Sequence, residues 1–564
     1  MIKQTEIDGV PALLAPATGV THAGLAFRVG FADEPLARRG ITHLIEHLAL
    51  FSTGVADYHY NGATGVEYTF FHMHGSAGEL GEFLSAVCAS LRDLPMHRLA
   101  VEKDLLRAEA NGRSSGPADQ MALWRHGARD YGLSSYPEWG LPAITEADLR
   151  EWVERYFTRE NAVLWVAGDE VPAGLRLDLP SGVRRKAPPM SSALPTTPAW
   201  FPGHSGMLVW DSVVPRAPRS AVFAGVLERV MFRELRQEGG LSYAAHASYE
   251  PVGADHGQVT AVADALPDKQ GAVLGGFVDV LAALRVGRID EADVAAVVKK
   301  QTEALRHAEE QGARLPGQAL NLLSGRDVLS ADEVIDGLRA VTAAEVAQVA
   351  AEAWDAGLLQ TSHSRADWAG FTAAPTTSDS AVTGTKYPSL DTPGEKLIVG
   401  FDGVSIVAGD NRATVRFADC AIVRAWPDGG RQLVGSDGIV VFVEPTLFEG
   451  AADAAKKIDA SVAPAVRVEQ PAREPGQIPQ PEPEKAAPAE SAKPRRGMAG
   501  EWRRVLLLML GALAGFATAG QVGYELVNGL TGILFGILAV VGGFVLAVLC
   551  VIGIVNTVRD AFKP

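Results

Sequence analysis

Apolar positions change their period several times along this chain, and each change predicts a new element. His43-Leu44-Ile45-Glu46-His47 reads as one turn of a helix. From Ala100 to Ala110 the spacing is again helical, with Glu102 and Glu109 two turns apart on one face. Phe71-His72-Met73-His74 alternates instead, as a strand with one polar face does, so His59, His72 and His74 are read as strand-face residues and not as ligands. A longer pattern repeats. Phe83 to Arg92, followed by the Glu102 helix, recurs as Phe277 to Arg285, followed by a helix from Glu291, and Ile144 to Leu149 recurs as Val341 to Val346. Both pairs are offset by about 195 residues, which predicts two similar α+β lobes at residues 1–187 and 201–372, joined by a Pro- and Ser-rich linker at 188–200.

Beyond a second linker at 373–392, residues 393–463 predict a small β-rich module. Its strand candidates are Lys396 to Val399, Val404 to Val407, Thr414 to Phe417, Ala421 to Trp426 and Gly438 to Val443, with a helix at Leu447 to Val462. Strands closed by one helix resemble a pleckstrin-homology-like module. That fold hosts many functions, so recognition, scaffolding and simple spacing all stay open. Residues 464–497, dense in Pro, Glu, Gln and Ala, predict a semi-extended tether of up to about 3 Å per residue.

The pattern then turns uniformly apolar. Val505 to Val522 and Leu530 to Val555, within 502–557, predict two transmembrane helices, since each can cross a hydrocarbon layer of about 30 Å. Arg495, Arg496, Arg503 and Arg504 precede the first run, and Arg559 and Lys563 follow the second, whereas the turn between them has no basic residue. Both ends are therefore expected in the cytoplasm. The first residues lack a basic start and an apolar core, so export of the N-terminal lobes is not expected either.

Composition narrows the choice of function. A net charge of −16 disfavours nucleic acid, whose binding needs clustered Lys and Arg. The 3 cysteines, Cys88, Cys420 and Cys550, are scattered among apolar residues and read as buried thiols.

The chemistry lies in the first lobe. His43 and His47 stand i, i+4, so they project from one helix face about 5–6 Å apart and suit two ligands of one zinc ion. Glu46 between them can accept a proton from a zinc-bound water, the usual preparation for peptide hydrolysis. A catalytic zinc takes three protein ligands, and Glu109 is the best candidate for the third, with Glu102 on the same face able to orient a ligand from behind. The alternative for Glu102 and Glu109 is an ordinary solvated helix face.

Gly30-Phe-Ala-Asp-Glu-Pro35, Gly40-Ile-Thr-His-Leu-Ile-Glu-His47 and the Glu102–Glu109 pair together resemble the insulinase, pitrilysin and mitochondrial processing peptidase family. The resemblance implies that His43, His47 and Glu109 hold Zn2+ and that Glu46 is the general base. Asn61 to Thr69 resembles the strand that follows the zinc helix in that family, and Arg236-Gln-Glu-Gly-Gly-Leu-Ser-Tyr243 resembles its arginine-to-tyrosine motif, which implies that Arg236 and Tyr243 steady the substrate and the oxyanion. One departure stands out. Only 61 residues separate His47 from Glu109, fewer than is usual in the family, and a shortened excursion around residues 50–60 accounts for it.

The sequence thus predicts a membrane-anchored zinc endopeptidase acting on unstructured peptides, its peptidase region cytoplasmic. Family members that enclose a chamber use four lobes, so the resemblance implies a homodimer or a heterodimer with a related subunit. A non-catalytic peptidase-like binding or assembly subunit at the membrane is the alternative.

Overall fold

The computed structural model of the protein describes residues 2–51, 59–112, 116, 118–168, 170–203, 206–362 and 364–481. Its first lobe runs β1 (Lys3–Ile7), β2 (Val10–Ala15), β3 (His22–Phe27), α1 (Ile41–Phe51), β4 (Tyr60–Thr64), β5 (Thr69–His74), α2 (Ala77–Arg92), α3 (Leu99–Gly112), α4 (Asp119–His126), α5 (Glu146–Tyr156) and β6 (Ala162–Ala167). The sheet order is β1-β2-β6-β3-β5-β4, with β2 and β6 parallel.

The second lobe runs β7 (Ala199–Pro202), β8 (Met207–Pro215), α6 (Pro218–Met231), β9 (Ala245–Val252), β10 (His256–Asp264), α7 (Gln270–Arg285), α8 (Glu291–Glu310), α9 (Leu315–Leu323), α10 (Ala331–Arg339), α11 (Ala343–Asp355), β11 (Leu358–Thr361) and β12 (Thr372–Ala373). Its sheet order is β12-β7-β11-β8-β10-β9, in which five strands repeat the first sheet, β7 and β11 lying parallel as β2 and β6 do; the edge strand differs, since β12 comes last in its lobe and runs parallel to β7 whereas β1 comes first and runs antiparallel to β2. The repeat read in the sequence has a local cause. Thr145 accepts from the backbone N–H of Asp148 at 3.2 Å, and Thr342 from that of Glu345 at 3.3 Å, so the recurring Thr-x-x-acid motif is a capping box that starts α5 in one lobe and α11 in the other.

Helices cover one face of each sheet. Leu25, Phe27, Phe71 and Phe83 form a core in the first lobe, and Trp210, Phe223 and Phe277 in the second. The opposite face of the first sheet receives α9 of the second lobe, where Leu315, Ala319 and Leu323 pack on Leu13, Ala26 and Trp165. Each of these leucines, fully buried, contributes roughly 1.5–3 kcal/mol. A buried ion pair joins the lobes as well. Arg125 of α4 donates to the carboxylate and the carbonyl of Asp211 in β8, and to the carbonyl of Ala356 at 3.1 Å.

A third, β-rich unit follows. Strands β13 (Gly384–Pro388), β14 (Glu395–Gly400), β15 (Gly403–Ala408) and β16 (Asn411–Arg416) form one antiparallel sheet. The second sheet, in the order β19-β18-β17-β20, is built from β17 (Cys420–Ala425), β18 (Arg431–Gly435), β19 (Val440–Val443) and β20 (Arg467–Glu469), and α12 (Ala454–Ser461) accompanies them.

Several predicted boundaries move. The linker at 188–200 stops short, because Ala199 and Trp200 are already buried in β7. Within the linker predicted at 373–392 lies β13, whose Tyr387 is buried and bonded to Asp453 at 2.9 Å, so one aromatic anchors a strand in a stretch whose Thr and Ser content suggests a loose connection. The tether at 464–497 begins with structure: β20 pairs in parallel with β17 and buries Val468. Strand β18 was not foreseen, and the helix expected at 447–462 forms only as α12. Cys88 and Cys420 are buried free thiols. Among the described residues no helix is long and apolar enough to cross a membrane. The predicted spans at 502–557, the tether from residue 482 and Cys550 lie outside the described residues, as does most of the excursion after His47.

Candidate metal centre

Helix α1 starts without a side-chain cap of its own. The buried Glu34 carboxylate supplies the missing acceptor, taking the N–H groups of Gly40 and Thr42 at 2.9 Å each, and Arg39 neutralises it at 3.1 Å. Gly40 sits at φ +103°, and a Cβ there would come within 2.9 Å of Glu138 Cβ, so only glycine suits the entry to this helix. Leu44, Ile45, Leu48 and Ala49 bury one face of α1 against the core. His43 and His47 are left on the other.

Both imidazoles are fixed through Nδ1. His43 Nδ1 lies 2.7 Å from Glu138 Oε1, and His47 Nδ1 lies 3.4 Å from Glu102 Oε2. Glu102 is itself held by Arg98 at 2.8 Å. In the tautomer with its hydrogen on Nδ1, each ring donates to its carboxylate and turns the Nε2 lone pair to the far side. There they meet Glu109, whose Oε2 lies 3.8 Å from His43 Nε2 and 3.6 Å from His47 Nε2. Donor atoms of the three residues all lie within 4.8 Å of one another. Ligands of a tetrahedral zinc with bonds near 2.0–2.1 Å stand about 3.3 Å apart, so the two distances to Glu109 exceed that spacing by about 0.3–0.5 Å, and drawing in the whole set takes shifts of up to about 1.5 Å.

Glu46 borders the cluster, its Oε2 3.8 Å from His43 Nε2, and Thr64 of β4 donates to it at 3.1 Å. It is 4% exposed, and that burial pushes its carboxyl above the ordinary range, against the opposing charges of His43 and His47 and the Thr64 hydrogen bond. Burial alone would lower the His43 pKa, but the hydrogen bond and charge of Glu138, with Glu46 and Glu109, turn the balance upward. The segment read as one strand after the zinc helix is a hairpin, β4 and β5. Its Gly62 lies against Glu46, where a Cβ would come within 2.6 Å of Oε1.

Of the residues singled out in the sequence, His43, Glu46, His47, Glu102 and Glu109 come together. Arg236 and Tyr243 do not join them among the described residues. They belong to the second lobe, in and just after a π-helical turn that continues α6, with the Arg236 guanidinium 4.7 Å above the Tyr243 ring and Tyr243 76% exposed. Helix α6 holds the place of α1 in that lobe and carries no histidine. Glu138 escaped the sequence reading because Tyr136-Pro-Glu-Trp-Gly140 has no helical or strand period; the available signal was a lone carboxylate between two aromatics in a Pro- and Gly-flanked loop.

No protein-family model matches this sequence, and no curated protein matches it either. Solved structures do match in fold. A protease from Helicobacter pylori superposes with a TM-score of 0.55 at 17% identity, covering 64% of this chain and 98% of that one. The periplasmic protease PqqL from Escherichia coli gives 0.54 at 12% identity, over 72% of this chain and 55% of PqqL. A peptidase M16 inactive domain from Pseudomonas fluorescens gives 0.53 at 14%, over 67% of this chain and 99% of the domain. The fold is that of the M16 peptidases, and it is shared by proteases and by an inactive domain. At such identities the likeness extends to the fold alone.

Proposed function

We propose that the chain is a zinc-dependent endopeptidase that hydrolyses unstructured peptides, anchored to a membrane by its C-terminal hairpin with the peptidase region in the cytoplasm. The observation that carries the reading is the convergence of His43 Nε2, His47 Nε2 and Glu109 within 4.8 Å, with both imidazoles backed by carboxylates. His43, His47 and Glu109 would hold the metal. When bound, zinc supplies Lewis acidity and lowers the pKa of its water to about 7. Glu46 would accept the proton and later deliver it to the leaving amine, and the Thr64 hydrogen bond fixes its orientation. Tyr243, exposed and steadied by Arg236, is free to reach a substrate bound at another protomer's metal centre, which fits a homodimer or a pair with a related subunit.

Glu46→Gln tests this directly. The amide keeps the shape but cannot take the proton, so zinc content should stay near one per chain while peptide hydrolysis falls by about 10²–10⁴-fold. An active Glu46→Gln protein sinks the mechanism. The non-catalytic reading draws on the M16 inactive domain among the similar folds, and a wild-type chain purified gently without zinc would favour it. A reporter that fluoresces only in the cytoplasm should work at either end of the chain; loss of signal at either end refutes the orientation.

A further inference from the structure

The β-rich unit is in direct contact with the loop that holds His43. Leu36, Ala37, Ala128, Leu133 and Tyr136 of the first lobe form one buried cluster with Ile422, Val434 and Val468 of the β-rich unit. The backbone closes the same seam: Ala128 N–H donates to the Ser436 carbonyl at 3.1 Å, and a Cβ on Gly127, at φ +74°, would come within 2.3 Å of that oxygen. Arg424 of β17 lies 4.7 Å over the ring of Trp139, the residue next to Glu138. On its other side the loop is sewn to the entry of α1, where Arg39 Nε donates to the Leu133 carbonyl at 3.1 Å and Gly140 N–H to the Arg39 carbonyl at 3.2 Å.

The loop carrying Glu138 is therefore held from two directions, and the Glu138 carboxylate itself meets two groups, His43 and, at 4.0 Å, Arg39. It is 8% exposed, its Oε1 engages His43, and its Oε2 is buried without a hydrogen bond. Burying a carboxylate with one oxygen unpaired costs free energy, which the His43 hydrogen bond and the Arg39 charge offset. That hydrogen bond turns the His43 ring so that Nε2 faces Glu109.

We propose that Glu138 is a positioning residue for His43 and that the β-rich unit acts through it, by gripping residues 127–143, as a structural part of the metal centre. This rests on the metallopeptidase reading above. It gives a role to a unit that sequence alone left as scaffold, recognition module or spacer. Removing a carboxylate behind a histidine ligand commonly lowers metal affinity about 10–100-fold. Opening the seam by other means should have the same effect, and only while Glu138 is present.

The test is Zn2+ titration of the purified full-length chain against a competing fluorescent chelator. Glu138→Ala should weaken zinc binding about 10–100-fold, and Glu138→Gln, which keeps an acceptor for Nδ1–H, should recover most of the loss. Gly127→Ala should weaken it too, because the new Cβ displaces the Ser436 carbonyl. In the Glu138→Ala background, however, Gly127→Ala should add nothing, an outcome that general damage to folding would not produce. Thermal melts of all four variants check that they fold. Zinc affinity unchanged in Glu138→Ala, or losses that simply multiply in the double variant, overturns the proposal while leaving the metallopeptidase reading intact. A wild-type chain with no affinity for zinc overturns both.

Discussion

Replacing Arg125 by Met would strand one of the most deeply buried charges in the protein. Asp211 is fully buried, and Arg125 donates to it through Nε at 3.0 Å and through Nη2; Nη2 also takes the Asp211 carbonyl at 3.0 Å, and Nη1 the Ala356 carbonyl. Without Arg125, the Gln258 amide at 2.8 Å is the side-chain donor left to the Asp211 carboxylate among the described residues. Breaking one side of such a pair costs about 3–5 kcal/mol, because the remaining ion keeps its desolvation penalty. At roughly 2 °C per kcal/mol for a unit of this size, the melting temperature should fall by about 6–10 °C. Asp211→Ala should cost a similar amount. The double variant Arg125→Met/Asp211→Ala should cost less than the sum by about 2 kcal/mol or more, since removing the second charge relieves the first. Urea unfolding followed by tryptophan fluorescence, with scanning calorimetry at several scan rates, measures all three. Single-variant losses below about 1 kcal/mol, or additivity within about 0.5 kcal/mol, would refute the view that this pair locks the lobes.

Gly62→Ala places a methyl 2.6 Å from Glu46 Oε1, so zinc should be retained while kcat falls about 10–100-fold; a fully active variant would show that the carboxylate does not need its present position. Burial lowers the His126 pKa below its ordinary 6.5, with the nearby Arg125 charge adding to the effect and the Ser191 carbonyl opposing it. A depressed histidine contributes stability that is complete above 6.5 and lost as the pH falls below it, so melting temperatures taken from pH 8 down to 5 should drop less steeply in His126→Asn than in the wild type. Parallel curves would contradict this. Mixing Glu46→Gln with Tyr243→Phe should restore some peptidase activity, because half the sites of a mixed pair join an intact metal lobe to an intact partner lobe. Persistent inactivity despite proven subunit exchange rules out supply of Tyr243 from the partner.

What the sequence made legible depended on how local the cause was. The i, i+4 histidines and the two-turn spacing of Glu102 and Glu109 are properties of single helices, so they could be read before any fold was known. The two-lobed repeat was visible because capping boxes at Thr145 and Thr342 leave a motif in the chain. Glu138 was not legible, since its importance comes from a contact 95 positions away. Strand β13 was hidden in a polar stretch whose only anchor is Tyr387, and β20 in a Pro-rich one anchored by Val468. Arg236 and Tyr243 were singled out only by their resemblance to a family motif, and the fold places them in the second lobe, apart from the His43 cluster.

The end of the β-rich unit has a mechanical consequence. Past β20, Arg473 spreads its guanidinium between two carboxylates, meeting Asp428 at 2.7 and 2.8 Å and Glu444 at 2.8 Å through two nitrogens. The β20 ladder behind it spans only three residues of β17. Tension arriving along the chain from beyond residue 481 therefore loads the Arg473 clasp before it reaches the ladder. Bidentate bonds of this kind resist together, as stitches in a hem do, and the strand behind them stays unloaded until the clasp gives way. Arg473 is in this sense a strain relief, a fastening that keeps a tug on the cord from reaching the works.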